Sequence, residues 1–186
     1  MKKLVPFFFS FLLLFSLTNL NAQSCSSGPP CIPDCPADQF SSPYQTVDVV
    51  VAPGCTLRVT YAWRIACGTW FDYYMAGVEI ISFQNCPFAS TDVKDIVEYA
   101  FAGLLEDNPA SFPPTPGNCS ITWRAGKGAC WEQAGDCIVP CTPLTCCLNS
   151  YTVCLDASGT NRTITPTGSV GPPPGSCTGA CIDVCN

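Results

Sequence analysis

Sixteen cysteines and no histidine decide what chemistry this chain can carry. Thiols serve metal sites, nucleophilic catalysis or disulfides, and spacing separates these uses. Zinc and iron–sulfur sites are commonly built from C-x2-C pairs, with histidine often completing a zinc shell. Here the close pairs are C-x3-C, at Cys31/Cys35, Cys137/Cys141, Cys177/Cys181 and Cys181/Cys185, with Cys146 and Cys147 adjacent. Cys25, Cys55, Cys67, Cys86, Cys119, Cys130 and Cys154 stand alone. An even count at this density points to a disulfide scaffold, so no metal and no cofactor are expected. Sixteen cysteines admit about two million complete pairings, which leaves the connectivity open.

Without histidine, Ser-His-Asp and Cys-His nucleophiles and histidine-held zinc are excluded. Catalysis would need a carboxylate pair of glycosidase type, one acid protonated and one ionised. The candidates are Asp72 with Glu79, and Asp92, Asp95, Glu98 and Glu106 in a helical stretch. Their ordinary role is a solvated flank, and for Asp92 a place in the first turn of a helix, where negative charge is favoured. Gly126-Lys127-Gly128 lacks the glycine spacing and trailing Ser/Thr of a phosphate loop and is expected to form a turn. Trp63, Trp70, Trp123 and Trp131 are the candidate binding aromatics, because such rings make sugar platforms or protein contacts when exposed. Asn118-Cys119-Ser120 and Asn161-Arg162-Thr163 fit the N-glycosylation acceptor pattern.

These residues follow a leader. Lys2 and Lys3 precede an apolar run over 4–17, and Ala22 offers a cleavage point, so 1–22 is expected to be a signal peptide. About fourteen apolar residues fall short of the roughly twenty a spanning helix needs. Removal of 1–22 leaves six cations against fourteen acids, a net charge of −8. That charge disfavours nucleic acid and anionic lipid as partners.

Residues 23–43 form a Cys- and Pro-rich lead-in. Within 44–117, the run from 56 to 65 places Leu57, Val59, Tyr61, Trp63 and Ile65 on one face and Thr56, Arg58, Thr60 and Arg64 on the other. This predicts an antiparallel strand with one wet face. Residues 70–83 predict a second long strand in which Gly77 marks a bulge where the inward face changes parity. Ser90 or Thr91 is the expected helix cap, with Val93, Ile96, Val97, Phe101, Leu104 and Leu105 at helical spacing as far as Asp107. The prolines at 113, 114 and 116 mark a domain boundary or a surface loop.

In 118–186, residues 119–124 predict a short strand, 125–145 look irregular, and 151–165 predict a hairpin before a tail carrying Cys177, Cys181 and Cys185. This region forms a second module or one domain with 44–117. The expected class is α+β or mainly β, an antiparallel sheet with one packed helix and irregular disulfide-stabilised loops.

The expected function is that of a secreted or cell-surface, disulfide-stabilised structural or adhesive protein, not an enzyme. The alternatives are a carbohydrate- or protein-binding module and a small carboxylate-dependent glycoside hydrolase. An extracellular protein, a glycan or a second copy is the expected partner.

Overall fold

The computed structural model describes residues 25–185 apart from 27, 33, 143, 144 and 174, so the expected leader at 1–22 lies outside the described residues. The described chain runs β1 (Gln45–Ala52), β2 (Cys55–Ala66), β3 (Trp70–Phe83), α1 (Val93–Asp107), β4 (Cys119–Gly128), β5 (Cys130–Ala134), β6 (Cys137–Pro140), β7 (Cys146–Leu155), β8 (Arg162–Val170) and β9 (Ile182–Asp183). It is an α+β arrangement, one sheet with one packed helix and disulfide-stapled loops.

The sheet forks at β3. Along one edge β3 pairs with β2, which pairs with β1. Along the other edge its first half meets β4, followed by β7 and β8, while Val78 and Glu79 meet β6, followed by β5 and β9. The prolines near 114 therefore lie in a connection between two strands that are neighbours in the same sheet.

The expectation of a purely antiparallel sheet is corrected at one place. Phe71 to Met75 run parallel to Trp123 to Lys127. The reason is α1: a chain that leaves the end of β3 and returns through a helix re-enters the sheet at the opposite end, which makes the next strand parallel.

The long hairpin obeys its pattern. Leu57, Val59 and Tyr61 of β2 face the helix-side core throughout. In β3 the core-facing set changes from Tyr73 and Met75 to Val78 and Ile80, because Tyr61 pairs with Met75 but Thr60 with Gly77. Ala76 is thus the extra residue of a bulge, and the bulge keeps apolar side chains on one side of the sheet. Gly77 has a separate purpose: a Cβ there would lie 1.7 Å from the Cys25 carbonyl oxygen.

Helix α1 lays Ile96, Val97, Ala100, Leu104 and Leu105 against this core. Its N-cap is Asp92, not Ser90 or Thr91, since Asp92 Oδ1 accepts the Asp95 amide at 3.2 Å, three residues along as a cap requires. At the other end Asn108 takes a left-handed conformation (φ 45°) and its amide bonds the Leu104 carbonyl. No basic residue lies in the last turn. Arg162 of β8 supplies the cation from across the fold by donating to the Glu106 carbonyl.

Asn108 also ties the helix end to the sheet. Its Oδ1 accepts from the Tyr73 hydroxyl at 2.8 Å and from the Phe112 amide at 2.9 Å, and its Nδ2 donates to the Phe112 carbonyl at 2.8 Å. Asn108→Ala is expected to lower stability by about 2–4 kcal/mol, adding left-handed strain to lost buried hydrogen bonds. Asn108→Gly relieves the strain and should recover about 1 kcal/mol of that loss, read as a partial return of the urea midpoint.

Candidate functional site

All sixteen cysteines are paired. The bridges are Cys25–Cys137, Cys31–Cys146, Cys35–Cys67, Cys55–Cys86, Cys119–Cys154, Cys130–Cys177, Cys141–Cys181 and Cys147–Cys185. Cys177, Cys181 and Cys185 fold the tail back onto β5, β7 and the chain after β6. Two clusters, Cys35 with Asp38 and Cys67, and Glu132 with Cys141 and Cys181, have the proximity of metal ligands. In both, the sulfurs are bonded to each other, which leaves a single carboxylate in each cluster.

The tryptophans divide. Trp123 and Trp131 are wholly buried, and their indole N–H groups bond the carbonyls of Pro113 and Gly128. They are core residues with no face to offer a ligand, which corrects their place among the binding aromatics. Trp63 is half-buried, edge-on to Phe112 at 5.9 Å, and Trp70 is half-buried with the Arg124 guanidinium over its ring at 4.8 Å. Both are engaged within the fold.

Among the acids, Asp72 is fully buried between two arginines. Arg64 Nε donates to Asp72 Oδ2 at 2.9 Å, while Arg124 Nε and Nη2 donate to Oδ1 and Oδ2, each at 2.8 Å. Glu79 stands apart from it, 3.6 Å from Arg58, which also holds Asp48 through two hydrogen bonds. A groove of about 390 Å³ between β1 and α1 does bring Asp48, Glu106 and Asp107 together. Asp48 is already neutralised by Arg58, and neighbours in sequence on a helix do not face each other.

The arginine pair reveals what the lead-in does. The expected wet face of β2 is wet only at Thr56 and Arg58, both half-buried. At Arg64 it is covered by described residues of the lead-in, whose backbone carbonyls satisfy the guanidinium. Nη1 donates to the carbonyls of Asp38 (2.9 Å) and Cys35 (3.3 Å), and Nη2 to those of Asp34 (2.6 Å) and Ile32 (3.5 Å). Arg124 Nη1 reaches the Asp34 carboxylate at 2.9 Å, and Phe40 stacks under Arg64 at 4.4 Å. A cleft of about 630 Å³ opens here among Pro29, Pro36, Phe40, Tyr44 and Arg64. All five guanidinium donors of Arg64 are occupied, and the Asp38 carboxylate that also lines the cleft accepts from the Cys67 amide.

A second cavity differs in that respect. About 380 Å³ in volume, it lies between α1, β4, β7, β8 and the tail, with Phe101, Leu105, Ile164 and Val184 as apolar walls. Lys127 of β4 lines it and is only 5% exposed. Its ammonium lies 4.9 Å from the centre of the Phe101 ring. Burial pushes the amine down from 10.5 to about 8, against the attraction of Glu98 and with help from Lys94.

The expected turn at Gly126-Lys127-Gly128 is therefore corrected to strand. Gly126 is small because a Cβ there would meet Ile32 at 2.9 Å. The missed signal is parity: alternation from Trp123 onward puts Ala125 and Lys127 on the helix-facing side. Because the folded amine titrates below the unfolded one, Lys127 opposes folding fully below pH 8 and ceases to do so above 10.5. Lys127→Met should thus be more stable than the parent at neutral pH. The difference should close between pH 8 and 10.5 in urea titrations.

No protein-family model, curated protein or solved structure matches this chain.

Proposed function

We propose that this chain is an exported, covalently locked structural or adhesive protein that acts outside the cell through a rigid β-surface. The observation that carries the reading is complete oxidation: every cysteine is paired, and no free thiol is left for metal or redox chemistry. Disulfides at this density persist in oxidising compartments, and the apolar segment at 4–17 is the kind of sequence that directs export. No helix among the described residues is long and apolar enough to cross a membrane.

The surface offers unpaired strand edges at β1 and β8, with Val50 and Val170 about 70% exposed. Pro166 interrupts β8, a feature that blunts an edge. β1 is the edge on which an extracellular protein, a glycan or a second copy would dock. The test is expression of the whole chain with its own leader, followed by thiol counting and binding to cells and matrix polymers. The reading expects protein in the medium, no reactive thiol, and retention on at least one surface that Val50→Lys weakens. Protein retained inside the cell with free thiols, or secreted protein that stays monomeric and binds no surface, overturns it.

A further inference from the structure

We propose that the Lys127 cavity is a binding site for small aldehydes with an apolar body, held as an imine on the Lys127 side-chain nitrogen. The observation behind this is a lysine nine-tenths buried, projecting into a cavity large enough for a small molecule. Among the described residues it makes neither a hydrogen bond nor an ion pair, and its contact is the face of Phe101. Ordinary buried lysines are paired. Here no hydrogen bond or ion pair from the described residues completes the group, while the walls offer Phe101, Leu105, Ile164 and Val184 to an apolar body.

The surrounding charges select among ligands. Glu98 and Glu106 of α1 share the lining, Lys94 lies on the same helix, and Tyr151 is the titratable group from β7. Ile164 of β8, Val184 and the disulfide-bonded Cys185 add no charge. Two carboxylates beside one amine in an acidic protein repel carboxylate or phosphate ligands, whereas a neutral carbonyl compound meets no such barrier. Desolvation that lowers the amine to about 8 leaves roughly a tenth of it unprotonated at neutral pH, far more than an ordinary lysine, and that neutral form is the nucleophile.

The step is balanced without a co-reactant. The nitrogen lone pair attacks the carbonyl carbon, giving a carbinolamine. The nitrogen then loses a proton to the departing hydroxyl, and one water leaves as the C=N bond forms.

The inference stands apart from export and is tested on purified, oxidised protein. Lys94 and Lys127 are the two lysines between residues 25 and 185, and the Lys94 side chain is 41% exposed. The protein is treated with benzaldehyde and cyanoborohydride at about pH 7.5 and mapped by peptide mass. Lys127 should acquire the benzyl group about tenfold faster than Lys94, because the cavity holds the aldehyde's ring beside an amine that burial has lowered to about 8. Benzyl alcohol, of similar shape but without the carbonyl, should slow Lys127 and leave Lys94 unchanged. Ile164→Trp, which fills the cavity, should suppress the Lys127 adduct. Labelling of Lys94 at an equal or greater rate, or indifference of Lys127 to benzyl alcohol, overturns the proposal; the second readout uses the unmodified protein and does not depend on how the variant folds.

Discussion

Replacing Asp72 by alanine is expected to cost about 3–5 kcal/mol and to loosen residues 28–44 from the sheet. Asp72 is wholly buried, and Arg64 and Arg124 beside it are 4% and 6% exposed. Its two carboxylate oxygens take three of their hydrogen bonds. Without it, two nearly buried cations face each other with only the Asp34 carboxylate, held by Arg124, left to balance them. The size of the loss does not mean that the network stabilises the fold against an apolar equivalent, since such triads are often replaceable as a whole. It specifies position: Arg64 also donates to the carbonyls of Ile32, Asp34, Cys35 and Asp38, so the charges that satisfy Asp72 fix where the lead-in lies. Urea denaturation with disulfides intact measures the first effect, and proteolysis within 36–44 the second. A loss below about 1 kcal/mol would mean that the guanidinium groups reach water on their own.

The second large effect is a failure of additivity between two disulfides. Cys25–Cys137 and Cys31–Cys146 are the bridges that join the chain before Pro113–Pro114 to the chain after it. While one remains, six residues on one side and nine on the other close a loop of about fifteen around the other. Removing either alone, as paired Cys→Ala changes, should therefore cost about 3 kcal/mol. Removing the second opens a loop of many tens of residues, and the double removal should total about 7 kcal/mol, comparable with the whole stability of a domain. Calorimetry or urea midpoints of the three variants check this. Equal, additive losses would show that the two bridges do not share a loop.

Much of this architecture was legible because it rests on short-range pattern. The alternation of β2, the parity change at Gly77, the stripe of α1 and the hairpin expected over 151–165 depend on side chains a few residues apart. What escaped depends on partners far along the chain. Arg64 looked solvated because the residues that bury it lie about thirty positions upstream in a segment without periodicity. Residues 125–145 looked irregular, yet 130–134 and 137–140 form a hairpin whose packing comes from β3, β9 and the bridges of Cys130 and Cys137. The parallel pairing of β3 with β4 follows from the path through α1, which single-strand patterns do not encode. Lys127 was hidden between glycines that suggested a turn; the smallness of Gly126 instead admits the Ile32 side chain. Trp123 and Trp131 show the limit of composition, since an aromatic ring carries the same letter in a core and in a binding site.

The lead-in is built into the sheet by charge through Asp72 and by covalent bonds across the proline segment. Peptide mapping under non-reducing conditions tests it directly. Linked peptides containing Cys25 with Cys137 and Cys31 with Cys146 are the predicted result. Bridges confined to either side of Pro113–Pro114, with none crossing it, would contradict it.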